Sequence, residues 1–93
     1  MRLTEFEVTA IKESVRMFDP DARIYLFGSR TDDTKKGGDI DLFVISKRIT
    51  GSERRKIKLN IYDKIGEQKI DMVIAPGITT AFHRIAVSTG VQL

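Results

Sequence analysis

The first part of the chain alternates apolar and polar residues with the period of an amphipathic helix. Over residues 4–18 the apolar side chains stand three or four positions apart, which places them on one helix face. Those apolar residues are Val8, Ile11, Val15 and Phe18. Thr4 and Glu7 have the spacing of a capping box, so the pattern also predicts where this helix begins.

Two later segments show the same helical spacing. Residues 52–67 predict a helix that Ser52 caps and Gly66 ends, and residues 79–89 predict a helix that ends at Gly90. The apolar positions are Ile57, Ile61 and Ile65 in the first segment and Phe82, Ile85 and Ala86 in the second. Spacing does not separate the side chains that enter the core from those that form a partner surface.

Between the helices lie short runs that are rich in strand-forming residues. Residues 23–27, 39–46 and 69–75 predict three strands, and residues 91–93 predict a short strand or tail. The run 39–46 becomes apolar on both faces, which is typical of a central strand. Strands that alternate with helices predict an α/β fold, with the helices packed against one sheet.

Composition limits what such a domain can do. The 93 residues form one domain, 1–93, with a modest core, and the absence of cysteine excludes disulfides and thiolate metal sites. No apolar run reaches the length of a membrane span and no signal peptide begins the chain, so we expect a cytoplasmic protein. The net charge of +3 is spread along the chain, apart from the run at 54–58, which we interpret as a solvated helix face. Direct nucleic-acid binding is therefore not expected.

Two aspartates at the start of the second strand are the first candidates for chemistry. Asp39 and Asp41 are two positions apart, so their side chains point to the same face of a strand, roughly 6–7 Å from each other. At an effective dielectric constant of 20 their repulsion is about 2.5 kcal/mol. Such a pair is retained at this cost when a positive charge lies between the two carboxylates.

A third aspartate, Asp71, interrupts the apolar strand 69–75. If this strand lies beside 39–46, Asp71 joins Asp39 and Asp41, and three carboxylates with phosphate and water form the oxygen shell that Mg²⁺ prefers. Two such ions about 3.5–4 Å apart can serve both the attacking and the leaving oxygen of phosphoryl transfer. The alternative is structural: Asp39 is a turn residue, and the other two aspartates pair with lysine or arginine.

A glycine–serine pair ends the first strand. Gly28 and Ser29 stand where backbone N–H groups can meet a phosphate, and Arg30 adds a positive charge. Taken alone, the pair is better explained by an ordinary strand-ending turn. His83, the only histidine, stands on the last predicted helix and is interpreted as a structural residue.

These motifs together resemble those of the DNA polymerase β-like nucleotidyltransferase superfamily. The similar segments are Phe27-Gly28-Ser29-Arg30, Gly38-Asp39-Ile40-Asp41-Leu42 and Lys69-Ile70-Asp71-Met72-Val73. The short chain resembles the minimal nucleotidyltransferases, which include the antitoxins paired with HEPN toxins. The chain departs from the usual pattern in its loop 31–37, which has an unusually mixed charge, and at Gly38, where small polar residues are common.

The resemblance implies a small mixed sheet flanked by helices, with Gly28 and Ser29 gripping the phosphates of an NTP and Arg30 beside them. It implies that Asp39 and Asp41 bind two Mg²⁺ ions, and that Asp71 completes one metal site and helps to activate the attacking hydroxyl. The attack falls on the α-phosphate, and pyrophosphate leaves.

Three functions are compatible with this resemblance. The first is a protein adenylyltransferase that moves AMP from ATP to a hydroxyl of a HEPN toxin and so acts as its antitoxin, because 93 residues leave no domain for another large acceptor. The second is a module that silences the toxin by binding alone. The third is a small-molecule nucleotidyltransferase, such as an antibiotic-modifying enzyme, that works as a dimer with a shared substrate site.

Overall fold

The computed structural model describes residues 3–28 and 39–93. Its elements follow the predicted order. They are α1 (Glu5–Arg16), β1 (Arg23–Phe27), β2 (Ile40–Ile45), α2 (Gly51–Ile65), β3 (Ile70–Ala75), α3 (Ala81–Thr89) and β4 (Val91–Gln92). The predicted loop or helix between Gly28 and Gly38 lies outside the described residues.

The four strands form one mixed sheet in the order β3-β2-β1-β4. Strand β2 pairs in parallel with β3, and β1 pairs antiparallel with both β2 and β4. Helix α2 makes the crossover between β2 and β3, since parallel neighbours require a long connection. The prediction that β2 is an interior strand is confirmed, as is the prediction of a mixed sheet flanked by helices.

The main core lies between the sheet and helices α1 and α2. Alternate residues of each strand enter it, as the period of two requires. Its fully buried members include Ile11, Val15, Leu26, Ile40, Leu42, Val44, Ile57 and Ile61. The apolar faces predicted for α1 and α2 therefore meet the face of β2 that is opposite to Asp41.

In the part of the chain that the structure describes, the other face of the sheet is covered only in part. A smaller cluster joins α3 to this face, and it is formed by Tyr25, Phe43, Ile45, Ala75 and Ala86. Of the three apolar residues predicted on α3, only Ala86 is buried, whereas Phe82 is 44% exposed and Ile85 is 60% exposed. Asp41 lies on this face and is only partly buried.

The N-terminal caps of α1 and α2 are formed by local hydrogen bonds, and one of the two predicted caps is wrong. The predicted capping box of α1 is present, because Glu7 N–H donates to Thr4 Oγ1 at 3.1 Å and Thr4 N–H to Glu7 Oε1 at 3.0 Å. The prediction of Ser52 as the cap of α2 is wrong. Thr50 caps this helix, since Glu53 stands three residues later and accepts from the Thr50 N–H at 2.9 Å.

The predicted ends of α2 at Gly66 and of α3 at Gly90 are confirmed. A Cβ at Gly90 would overlap the carbonyl oxygens of Ala86 and Leu26, so glycine is needed for β4 to approach β1. In the ranges 3–28 and 39–93, no helix combines the length and the apolar character that crossing a membrane requires.

Candidate active site

The parallel pairing of β2 and β3 brings two predicted site residues together. Asp41 lies directly opposite Asp71, one position after the pair Ile40 and Ile70. Residues opposite each other in neighbouring strands point to the same face of the sheet. The two carboxylates therefore meet at the edge where β2 and β3 begin, as the sequence predicts.

Asp39 and Lys69 directly precede the two strands at the same edge. The N–H of Ile40 donates to the Lys69 carbonyl at 3.0 Å, so the pairing continues to this level. Lys69 Nζ lies 3.3 Å from Asp39 Oδ2, with 72% of the lysine and 42% of the aspartate side chain exposed. Among the described residues, this edge holds the carboxylates of Asp39, Asp41 and Asp71 and the ammonium group of Lys69, so these four side chains have a net charge of −2 from three negative charges and one positive charge.

The pKa of Asp41 reflects this crowding. Desolvation raises it above the ordinary value of 3.8, and the neighbouring charges of Asp71 and Asp39 raise it further. Lys69 opposes this shift only in part. A half-buried carboxylate that is short of positive charge is common in functional sites, because a cation or a substrate supplies what is missing.

Lys69 shows the complementary effect. Its hydrogen bond with Asp39 raises its pKa, with additional contributions from the charges of Asp39, Asp71 and Asp41. The lysine is therefore held as an ammonium group by the whole cluster.

Gly28 brings the end of β1 to the same place. Its φ is +77°, a conformation that glycine adopts without strain. A Cβ at this position would overlap Oδ2 of Asp41, whose register partner is the preceding residue, Phe27. The turn after β1 therefore packs against one of the carboxylates. Ser29 and Arg30, the other predicted phosphate-binding residues, lie outside the described residues.

The donor set suits a hard divalent cation. Aspartate oxygens are the ligands that Mg²⁺ prefers, and the cluster carries excess negative charge. Among the residues that the structure describes, however, no three acidic, histidine or cysteine side chains are arranged so that they could hold a metal ion. Instead, Oδ2 of Asp39 contacts Lys69 Nζ. The predicted roles of Asp39, Asp41 and Asp71 as ligands thus remain predictions.

His83 has a structural position in α3. Its Nδ1 accepts from the N–H groups of Thr79 and Thr80 at 3.1 and 3.3 Å, and its ring stacks on Phe43 with centroids 4.8 Å apart. These contacts hold the first turn of α3 against β2.

Lys69 is the functional candidate that the sequence analysis missed. It stands two residues before Asp71, so the strand period already placed the two side chains on one face. Its contact with Asp39 depends on the pairing of β2 with β3, which no local pattern specifies.

The sequence matches the family model described as a nucleotidyltransferase domain over residues 8–89. The match covers 82 of the 93 residues, and the chain belongs to this family. No curated protein matches the sequence closely enough to be a relative. Family membership confirms the resemblance drawn from the glycine–serine and aspartate motifs, and it establishes the general activity as nucleotidyl transfer.

Proposed function

We propose that the protein is a Mg²⁺-dependent adenylyltransferase that transfers AMP from ATP to a hydroxyl of a partner protein. The acceptor we propose is a HEPN toxin, so that the transfer makes the chain an antitoxin. The observation that carries this function is the meeting of Asp41 and Asp71 in register beside Gly28, with Asp39 at the same edge.

Each residue has a separate task in this scheme. Gly28, Ser29 and Arg30 hold the triphosphate, since a glycine turn lets backbone N–H groups approach a phosphate. Asp39 and Asp41 hold two Mg²⁺ ions, and Asp71 completes one of the two sites. When bound, the ions supply the positive charge that orients the phosphates and offsets the charge of the carboxylates.

The reaction is a displacement at the α-phosphorus. The acceptor oxygen forms a bond to this phosphorus, the bond to the bridging oxygen breaks, and pyrophosphate leaves. Asp71 is exposed at the sheet edge, and it helps to withdraw the proton of the acceptor hydroxyl.

The acceptor reaches the site from outside the domain. The Asp39 side chain is 42% exposed, and Asp71 is also exposed. A hydroxyl on the surface of a folded protein can therefore approach Asp71 without entering a deep pocket.

The test is transfer of label from ATP that is radiolabelled at the α-phosphate. The wild-type chain is incubated with Mg²⁺ and the protein encoded by the adjacent gene, and the double variant Asp39→Asn/Asp41→Asn is compared with it. We expect label on the partner with wild type and at least a hundredfold less with the variant, because the metal-holding carboxylates are gone.

The matched control is Asp21→Asn/Asp63→Asn, which removes two exposed carboxylates elsewhere. It should transfer label as wild type does. A stable complex that carries no label would instead favour silencing by binding alone. Label on an added aminoglycoside but not on the protein would favour antibiotic modification.

A further inference from the structure

Lys69 occupies a position at which it interacts with all three aspartates. Its residue directly precedes β3, as Asp39 directly precedes β2, and its Nζ is 3.3 Å from Asp39 Oδ2. The charges of Asp39, Asp41 and Asp71 all act on its ammonium group. Within residues 3–28 and 39–93, Lys69 is thus a cation that the structure places at this cluster.

This contact is easily exchanged. Lysine carries a compact charge on a flexible four-carbon chain, and 72% of this side chain is exposed. Ion pairs of such exposure contribute little to stability, so breaking the pair costs little. The structure thus gives Lys69 a partner that it can leave without disturbing the fold.

A divalent cation at the cluster competes directly with this ammonium group. Lys69 Nζ already lies against Oδ2 of Asp39, so a cation that binds this carboxylate places a second positive centre beside the ammonium group, and the two repel each other. The displaced ammonium group stays within electrostatic range of Asp41, whose carboxylate packs against Gly28. A triphosphate bound beside Gly28, as in the proposed site, therefore brings new negative charge within its reach. Lysine binds phosphate as a point charge, so a phosphate oxygen is a suitable second partner.

We propose that Lys69 exchanges partners during the catalytic cycle: it holds Asp39 in the free protein and the triphosphate of the NTP once metal and nucleotide are bound. This inference rests on the proposed metal and nucleotide site at the same edge. Before metal binds, the Lys69 ammonium group occupies the position beside the carboxylates, which we call its placeholder role. After metal and nucleotide bind, the same group contacts phosphate, which we call its phosphate role.

The two roles predict opposite effects of one substitution. In Lys69→Gln the competing ammonium group is lost, so Mn²⁺ binds more tightly in the absence of nucleotide. The same change removes a phosphate contact, so nucleotide binds more weakly in the presence of metal. A residue that only supported the fold would move both affinities in the same direction.

The experiment measures two dissociation constants. Free Mn²⁺ is titrated by electron paramagnetic resonance without nucleotide, and binding of α,β-methylene-ATP is measured by calorimetry at saturating Mg²⁺. For Lys69→Gln we expect at least threefold tighter Mn²⁺ binding and about tenfold weaker binding of the analogue, which corresponds to about 1.4 kcal/mol. Lys69→Arg should keep both constants within about threefold of wild type, since the charge is retained.

The control is Lys47→Gln, which makes the same charge change just beyond the opposite end of β2 and should leave both constants unchanged. An unchanged Mn²⁺ affinity in Lys69→Gln overturns the placeholder role, and an unchanged analogue affinity overturns the phosphate role. Neither assay contains an acceptor. If Lys69→Gln shifts the two dissociation constants in opposite directions but the transfer experiment leaves no label on any partner, the role of Lys69 is supported and the proposed acceptor is wrong.

Discussion

The Asp41 carboxylate fills the space that a side chain at position 28 would need. Gly28 is therefore required twice, once by its φ of +77° and once by this contact. Gly66 shares only the first requirement, because its φ is +87° and a Cβ there would meet no atom within 4 Å. A substitution at Gly66 therefore tests the effect of backbone strain alone, whereas a substitution at Gly28 tests backbone strain together with displacement of Asp41.

Alanine substitutions at these two glycines should have different effects on activity. Each should destabilise the fold by about 1–3 kcal/mol, because alanine is strained at positive φ. Gly28→Ala also displaces Asp41, so we expect at least a tenfold loss of nucleotidyl transfer per folded molecule. Gly66→Ala should retain transfer per folded molecule. Urea unfolding gives the folded fraction, and initial rates give transfer; full activity in folded Gly28→Ala would contradict the assigned contact.

At the scale of elements, a buried hydrogen-bond network joins two connections at the opposite end of the sheet. Ser46 Oγ donates to Asp19 Oδ2 at 2.5 Å and accepts from the N–H groups of Arg48 and Ile49 at 3.1 Å each. Asp19 also accepts from the Asp21 N–H at 2.9 Å. The segment after α1 is thereby tied to the segment between β2 and α2.

This network makes part of the stability depend on pH. The Ser46 hydrogen bond lowers the pKa of Asp19 below its ordinary 3.8, and the Asp21 N–H and the Arg48 charge act in the same direction. The stabilisation is therefore complete above about pH 4 and is lost as the pH falls through the folded-state pKa.

Ser46→Ala should lower the free energy of unfolding at neutral pH by about 1–3 kcal/mol, because it leaves buried groups without their partner. Its deficit should shrink as the pH falls below about 4, where wild type loses the same contribution. Urea unfolding across this range measures both effects. Ser88→Ala, at an exposed serine of α3, is the control and should follow the wild-type pH profile. A deficit that is constant with pH would refute the role of Asp19.

For the whole molecule, folding gathers negative charge at one edge of the sheet. Asp41 has a raised pKa, which means that its ionised form is less favourable in the folded protein than in the unfolded chain. This contribution destabilises the fold above the folded-state pKa and disappears below the ordinary value of 3.8. The site is thus maintained at some cost in stability.

Asp41→Asn should therefore raise the free energy of unfolding at neutral pH without metal, while it abolishes transfer. The gain should stay below about 1 kcal/mol, because solvent screens a partly exposed carboxylate. Added Mg²⁺ should raise the melting temperature of wild type more than that of the variant, since the metal binds the carboxylate cluster. Scanning calorimetry with and without Mg²⁺ tests this, and a variant less stable than wild type without metal would show that Asp41 is structural.

Local patterns predicted most elements to within a few residues. The face of α1 and the ends of α2 and α3 follow from residues close together in sequence, so periodicity and capping residues are sufficient signals. The error at Ser52 is also local: Glu53 supports a capping box from Thr50, and this competing signal was overlooked. Burial on α3 was not predictable, because it depends on how much of the sheet one short helix covers.

By itself, the sequence determined the helices and the strands, since each depends on the period of one segment. The shared face of Asp39 and Asp41 stays a prediction, because Asp39 lies just before β2. The tertiary structure decided which segments meet. Parallel pairing of β2 with β3 in one register places Asp71 opposite Asp41, and a slip of one residue would turn that side chain to the other face. The contacts of Lys69 with Asp39 and of Gly28 with Asp41 likewise join residues that are distant in sequence. Such contacts arise from packing of the whole sheet, and no single segment encodes them.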